Sequence, residues 1–516
     1  MLFLLSNHIM LPSIITILLF LLGLLCSFIH LHRQRATSSR PKLPPGPQPL
    51  PIIGNLHMLG NLPHRSLRQL AKKYGDIMYM RLGCVPTIVV SSPQAAELFL
   101  KTHDAIFANR PKVQAYEFLS YGAKAIAFTE YGPYWRNVRR LCTVELLSSV
   151  KVESLASMRR EEIGLLVQSL KKSAAAKEVA DVSAKVSEVI EDTSYRMVFG
   201  RSKDDRYDLK AIIQEGTRLA GAFNIADYLP WLAVLDLQGL ARRMKALSKF
   251  MDKILDKIID KHEQEASEHQ SQHGQDFIDV MLSLTNKSIH YHNEQSFMID
   301  RTNIKAIILD MLVGSIESTA IVIEWALSEL LRHPRVMRRL QEELESVVGT
   351  NRMVEETDLS KLVYLDMVMK ETLRLHVSPF LVPHESMEDI MINGYQIPKK
   401  STIIINAWAI ARDPDVWSDN AEEFLPERFM GSNIDLRGRD FRLIPFGSGR
   451  RGCPGIQLGL IHVRLVLAQL VHCFEWELPN GMLPNELDMS EKFGLTMPRA
   501  KHLLALPTYR LLVKDL

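Results

Sequence analysis

The sequence predicts a mainly α-helical protein with small β-sheets, folded as one large domain behind a single N-terminal membrane-spanning helix. Three observations carry this reading. Residues 10–29 form an uncharged run rich in Leu and Ile. Helical hydrophobic periodicity fills 132–200, 208–262 and about 300–348, with strand patterns confined to short stretches. No internal repeat and no composition break divides residues 55–516. The 516 residues are 47% hydrophobic and 23% charged, which excludes a disordered or collagen-like chain. Lys and Arg number 62 against 59 Asp and Glu, a net charge of +3 too balanced for a nucleic-acid partner. Five cysteines, at 26, 84, 142, 453 and 473, are scattered and odd in number, which fits a reducing compartment and no disulfide framework.

At 1.5 Å per residue the 10–29 run reaches about 30 Å, enough to cross a hydrocarbon core. A cleaved signal peptide would have a basic leader and a shorter apolar core. Here the positive charge follows the run, at Arg33, Arg35, Arg40 and Lys42. The positive-inside rule then leaves the rest of the chain in the cytosol. The sequon Asn286-Lys287-Ser288 would face the same side and stay unglycosylated. Residues 1–31 are therefore expected to be an anchor and 32–54 a basic, Pro-rich hinge. Within that hinge Pro41, Pro44, Pro45, Pro47, Pro49 and Pro51 fix φ and make a semi-rigid strut.

Past the hinge, 64–74 and 93–103 read as amphipathic helices around a strand pair at 77–82 and 86–91. Helices are expected over 275–285, about 300–331 and 335–348, and a last one over 454–474. The stretch 262–274 carries His262, His269 and His273, but its polar composition predicts a solvated loop rather than a metal cluster. Strand signals return at 388–405.

The stretch Phe446-Gly-Ser-Gly-Arg-Arg-Gly-Cys453-Pro-Gly455 carries the chemistry. Gly447, Gly449 and Gly452 match a dinucleotide fingerprint literally, but a βαβ unit should surround it, and none does. The alternative starts from Cys453. Pro454 suits a first helical position, placing the cysteine at a helix N-terminus, where the dipole and backbone N–H groups favour a thiolate. The glycines at 447, 449, 452 and 455 allow the backbone to curl and a flat ligand to approach. Arg451 is placed to neutralise an anionic group. A thiolate in such a nest suits an axial iron ligand, whereas a buried structural cysteine would require none of these glycines.

The loop resembles the haem-binding loop of cytochromes P-450, F-x-x-G-x-R-x-C-x-G, met by Phe446, Gly449, Arg451, Cys453 and Gly455. Glu371-Thr-Leu-Arg374 looks like the family's E-x-x-R pair, and Phe424-Leu-Pro-Glu-Arg428-Phe429 like the motif whose arginine joins it. Trp135-x-x-x-Arg139 resembles the helix contact to a haem propionate. Tyr131-Gly-Pro-Tyr-Trp-Arg and Asn406-Ala-Trp-Ala-Ile-Ala-Arg-Asp-Pro414 look like the plant A-type branch of specialised metabolism. The resemblance implies the P-450 fold over 55–516 and haem b held by Cys453, with Trp135, Arg139, Phe446, Gly449, Arg451 and Gly455 around it. It implies a mono-oxygenase using O2 and NADPH-derived electrons from a membrane-bound reductase, in the endoplasmic reticulum membrane with the catalytic domain facing the cytosol. Arg136, Arg140 and Arg450 would belong to the reductase-docking face, and Glu371, Arg374 and Arg428 would be structural.

Gly314-Ser315-Ile316-Glu317-Ser318-Thr319 departs from the family's A/G-G-x-D/E-T. Glu317 keeps the acid and Ser318 keeps a hydroxyl without the methyl. These two, with Thr319 as the alternative alcohol, are the expected proton-handling residues. By alignment the substrate pocket draws on Phe118, Ile126, Phe128, Phe223, Ile225, Val313, Val377, Phe380, Leu381, Phe493 and Leu495. None is charged, and an unpaired anion would be costly there, so a small lipophilic substrate is expected. A terpenoid such as a sesquiterpene stands ahead of a phenolic or biphenyl-type aromatic. Two other haem-protein classes fit the loop: an isomerase or dehydratase independent of a reductase, and a non-catalytic haem sensor.

Overall fold

A computed structural model describes residue 23 and residues 42–200, 209–268, 276–285, 298–376, 378 and 380–512. The 10–29 run, apart from Gly23, the sequon, His269 and His273 lie outside the described residues. The chain divides into two compact units, residues 1–44 with Ile390–Ile397, and Pro45–Asp389 with Pro398–Leu516. In the smaller unit the hairpin 390–397 donates from the Gln396 amide to the Lys42 carbonyl, and the Lys42 ammonium lies 5.5 Å from the centre of the Tyr395 ring.

The larger unit begins with α1 (Pro63–Tyr74), β1 (Ile77–Leu82), β2 (Val85–Val90), α2 (Gln114–Leu119), α3 (Pro133–Leu141) and α4 (Ala156–Ala176). Then come β3 (Ala180–Asp181), α5 (Val182–Phe199), α6 (Leu209–Ala220), α7 (Leu240–Glu268), α8 (Phe277–Leu284), α9 (Arg301–Arg332), α10 (Pro334–Val348) and α11 (Val363–Leu375). After β4 (His384–Glu385), the hairpin strands β5 (Ile390–Ile392) and β6 (Tyr395–Ile397) belong to the smaller unit; β7 (Thr402–Ile405), α12 (Ile456–Cys473), β8 (Phe474–Glu477) and β9 (Leu504–Tyr509) complete the chain. One sheet runs β1-β2-β7-β4, with β2 and β7 parallel and the other pairs antiparallel; another runs β3-β9-β8. In the register Ile77 stands opposite Val90 and Val90 opposite Ile405, and the last four residues of β2 are all buried.

Several expected elements take a different form. The periodicity over 132–200 resolves into separate helices, and 208–262 is interrupted between Ala220 and Leu240, where Pro230 cannot continue a helix. The stretch expected to be a loop from 262 instead opens inside α7. His262 Nδ1 lies 2.8 Å from the Ile258 carbonyl and Nε2 lies 3.1 Å from Asp276. The ring is thus held between a backbone carbonyl and a carboxylate, and His262, Asp276 and Asp279 bring their side-chain ligand atoms within 4.8 Å of one another. The last ten residues of the hinge expected over 32–54 are mostly exposed but are tied by backbone bonds to β1 and the turn after it. The Tyr79 amide donates to Pro45, and a Cβ on Gly46 would stand 1.8 Å from the Tyr79 oxygen, so only glycine lets the chain lie against β1.

Helix α9 organises the interior. Asp300 caps it by accepting from the Asn303 amide at 2.7 Å while Asn303 accepts from the Asp300 amide at 2.9 Å. It ends at His333, because Pro334 starts the next helix. α9 and α12 are long and apolar enough to cross a membrane, but both are mostly buried within the fold. The N-terminal half of α9, from Ile304 to Ile316, joins one hydrophobic cluster with α7 and α8. Its C-terminal half, from Ala320 onward, joins a second with α5, α10 and α11. The two clusters meet at residues 316–320.

Candidate functional site

At that seam the centre of a deeply packed helix comes into the open. Gly314 and Ser318 are exposed although most of α9 around them is buried, and a Cβ on Gly314 would meet nothing within 4 Å. Ser318 donates to the Gly314 carbonyl at 2.7 Å, the local back-bond that a serine hydroxyl makes in a helix. Thr319 is only 6% exposed. Glu317 is half-buried; burial raises its pKa, against the opposing effect of a hydrogen bond from Thr496 and of the Lys492 charge.

The 446–455 loop is built around a tight turn. Gly449 has φ +67, and a Cβ there would strike the Leu100 oxygen at 2.3 Å, so the turn requires glycine twice over. The Cys453 amide donates to the Phe446 carbonyl at 2.8 Å. Helix α12 starts at Ile456, with Gly455 as its cap, two residues later than the proline at 454 suggested. Cys453 therefore stands just ahead of the first turn. Burial, not the dipole, dominates its thiol and pushes the pKa up, against the opposing Gly455 amide and Arg139 charge. Yet the side chain is exposed. The sulfur thus keeps accessible surface within otherwise dense surroundings. Gly455 opens on free space as well, since a Cβ there would meet nothing within 4 Å.

Three arginines gather beside this loop. Arg451 donates to the carbonyls of Ala108, Ile126 and Thr129 at 2.7, 3.2 and 2.5 Å. Arg139 donates to Gly452 at 2.6 Å, and Arg110 donates to Ala127, Val382 and Pro383. None of the three forms an ion pair among the described residues. Burial, then repulsion from Arg110 and Arg139, pulls Arg451 down to about 8. Burial also lowers Arg110 to about 10. The Arg451 guanidinium lies 4.3 Å from the centre of the Trp135 ring, whose Nε1 donates to Ile126 at 3.0 Å. Arg450 points elsewhere, to Asp104 at 3.4 Å.

Behind the loop, Glu371 and Arg374 are both 0% exposed and joined through two bonds of 2.7 and 2.9 Å. Arg428 adds a third bond to Glu371 at 2.9 Å, and the Leu425 amide a fourth at 2.8 Å. Arg374 also holds the carbonyls of Ala411, Ala421 and Glu423. The sequence pair is thus a buried network tying α11 to the strand-free segment that leads to the loop.

Residues 44–504 match the family model described as Cytochrome P450. The chain belongs to the cytochrome P450 family. It is 61% identical over 471 residues to cytochrome P450 CYP736A12 of Panax ginseng, covering 91% of this chain and 94% of that one. It is 44% identical to cytochrome P450 71A1 of Persea americana, covering 86% and 89% of the two chains. Desmethyl-deoxy-podophyllotoxin synthase of Sinopodophyllum hexandrum is 41% identical over 90% of this chain and 92% of its own length. A zebrafish cytochrome P450 structure with abiraterone superposes with a TM-score of 0.71 at 27% identity, covering 87% of this chain and all of that one. This P450 is therefore a plant A-type mono-oxygenase of specialised metabolism, and its family uses haem b, O2 and NADPH-derived electrons supplied through a reductase. The residues present fit that cofactor: a thiol with free surface, Gly314 and Gly455 with open space at Cβ, and three guanidiniums that form no ion pair among the described residues, suited to two propionates.

A separate cavity of about 70 Å³, opening into about 710 Å³ of space that includes solvent at its mouth, lies between α2, α6, α7 and α9. Of the residues expected in a substrate pocket, Phe128, Val313 and Leu495 line it. Phe118, on α2, packs against the cluster of Leu219, Leu240 and Met244 under the Lys245 ammonium, and Phe223 is half exposed and stacks on Tyr228. Ile225 opens a short helix, and Ile126 is buried with its carbonyl facing Trp135 and Arg451. Phe380 and Phe493 pack around His64, and Leu381 lies against Met497 and Trp408. Val377 lies outside the described residues. Tyr116, Tyr121, Thr217 and Asp310 line the cavity and were missed. An acid in the otherwise apolar run from Ala306 to Val313 was the available signal for Asp310. Arg110 and His384, whose pKa burial lowers, carried no motif.

Proposed function

We propose that Cys453 is the axial ligand of haem iron and that the enzyme inserts one oxygen atom into a small lipophilic plant metabolite, a terpenoid ahead of a phenolic. What supports the reading is Cys453: its side chain keeps accessible surface, Arg139 acts on it, and Arg110, Arg139 and Arg451 near the loop have no ion pair among the described residues. Haem, when bound, supplies the activation of O2. Arg139, Arg451 and Trp135 would hold its propionate edge, and Phe446, Gly449 and Gly455 would shape the thiolate side. Ser318 and Glu317 would hold and move protons on the opposite wall. Ser318 already uses its hydrogen on the Gly314 carbonyl, leaving its lone pairs to accept. The cavity beside α9 would bind the substrate and exclude water. Residues 1–31 would anchor the protein in the endoplasmic reticulum membrane, 32–54 would lead to a haem-thiolate catalytic domain over 55–516, and Arg136, Arg140 and Arg450 would meet the reductase.

The test is spectral and chemical. Reduced protein with carbon monoxide should show the red-shifted Soret band of thiolate ligation, and Cys453→Ala should abolish it. Membranes containing the protein and a reductase should form product from a lipophilic panel only when NADPH is supplied. Survival of the band in Cys453→Ala would sink the ligand assignment. Product without NADPH would point to an isomerase instead.

A further inference from the structure

We infer that Asp310 selects substrates bearing a neutral hydroxyl group, using its free carboxylate oxygen as the acceptor inside the cavity. The inference rests on the reading of that cavity as the substrate pocket. Asp310 is the sole charged group among the cavity's described lining residues. One carboxylate oxygen, Oδ2, accepts from the amides of Ile126 and Ala127 at 2.8 and 2.9 Å. The other, Oδ1, has no protein partner among the described residues and is not sealed from the cavity. Among the lining hydroxyls, Ser120 and Thr217 donate to the carbonyls of Tyr116 and Ile213 and Tyr121 donates to Asp252, while Tyr116 and Ser248 add two more hydroxyls to the wall. In a mostly apolar cavity the charged acceptor is the strongest partner for a ligand hydroxyl, because such a bond is strong where water is excluded.

The acceptor is held firmly. Ile126 and Ala127, which donate to Oδ2, pass their own carbonyls to Trp135, Arg451 and Arg110. Burial raises the Asp310 pKa to about 6 against those two amides, so the group is mostly ionised at neutral pH and can only accept. A cationic ligand is disfavoured. An ammonium entering an otherwise apolar cavity would shed its water for a single partner.

The test measures equilibrium dialysis of three probes with the haem-loaded protein: 4-phenylphenol, its methyl ether, and 4-phenylbenzylamine. Wild type should bind the phenol about tenfold or more tightly than the ether, the range of one hydrogen bond to a charged group. Asp310→Asn keeps a carbonyl for the two amides and turns an NH2 toward the cavity. It should erase that preference while leaving the melting temperature within a degree or two. Equal binding of phenol and ether by wild type overturns the proposal, whether or not the variant folds. So does a preference that persists in Asp310→Asn, or an amine that binds more tightly than the phenol. The carbon monoxide band, read on the same samples, separates this result from the fate of the haem assignment. A phenol preference without the band would leave the selection standing and remove the enzyme reading.

Discussion

Replacing Glu371 with glutamine should cost this P450 several kcal/mol although the change is nearly isosteric. The carboxylate receives four bonds in a site that is 0% exposed, three of them from two guanidiniums. A glutamine carbonyl can serve the Leu425 amide and one arginine bond. Its NH2 then faces the Arg374 Nε, donor against donor, in place of a 2.7 Å bond. Two charge-assisted bonds at about 1.5–3 kcal/mol each, or the breaking of one buried ion pair, both give about 3–5 kcal/mol. Over the roughly 460 matched residues, an unfolding entropy of about 2.1 cal/mol/K per residue totals about 1 kcal/mol/K, so the melting temperature should fall by about 4 °C. The assay is a thermal scan of haem absorbance, with the carbon monoxide band as a count of native protein. Glu215 supplies the control. It pairs with Arg218 at 2.7 Å in the same i,i+3 geometry, but at 32% and 53% exposure. Glu215→Gln should shift stability by no more than about 0.5 kcal/mol. If the two substitutions move the melting temperature equally, burial is not what distinguishes the pairs and the reasoning fails.

Other outcomes follow from the same geometry. In Ser318→Ala the product formed per NADPH should fall about tenfold, within the range of a lost proton-transfer group, while Ser318→Thr should match or improve on wild type and Thr319→Ala should change little; uncoupling confined to Thr319→Ala would shift the alcohol by one position. Arg451→Gln should weaken haem retention about tenfold by removing one of three unpaired charges, and Arg451→Lys should recover part of it, as read by haem transfer to apomyoglobin. Burial opposes ionisation of Glu329, but hydrogen bonds from His333 and His376 prevail and pull its pKa down to about 2. His376, lowered by its own burial, still donates from Nε2 at 2.7 Å when neutral. A depressed carboxyl stabilises above its unfolded pKa near 4.5 and loses that contribution as pH falls toward 2. About 3 kcal/mol should therefore disappear across that window, and Glu329→Gln should flatten the acid limb of a stability–pH curve.

Much of the fold was legible because its signals are local. Pro334 behind a long apolar run marks the end of α9, and the 77–82 and 86–91 patterns give β1 and a slightly earlier β2. The loop at 446–455 was legible because Gly449 answers to a backbone demand that any sequence must meet there. The trio of arginines was only half visible. Arg139 and Arg451 stand in motifs, whereas Arg110 joins them from more than 300 residues before Arg451, through contacts to backbone carbonyls that no side-chain pattern records. The pocket was read least well for the same reason. Its wall is made by α2, α6 and α7 leaning over α9, and long-range packing decides which aromatic faces inward.

Helix α9 shows where pattern reading fails and what replaces it. A helix buried nearly all round has no apolar stripe to point its functional face. Its non-apolar residues do the pointing. With about 100° per residue, Gly314 lies about 40° from Asp310, Glu317 about 20° to the other side and Ser318 about 80° away. Those four share one arc, and the structure opens that arc to the cavity at Asp310 and leaves Gly314 and Ser318 exposed. Thr319 falls about 180° from Asp310, on the opposite side, where it is buried. The same arithmetic favours Ser318 over Thr319 as the proposed alcohol and sets it near the face of Asp310 two turns earlier. A substrate hydroxyl held at Asp310 would place the remainder of the molecule along the open face that leads to Ser318. One helix would then orient the ligand at one end and handle protons at the other, and substitutions at Asp310 and Ser318 should separate binding preference from coupling.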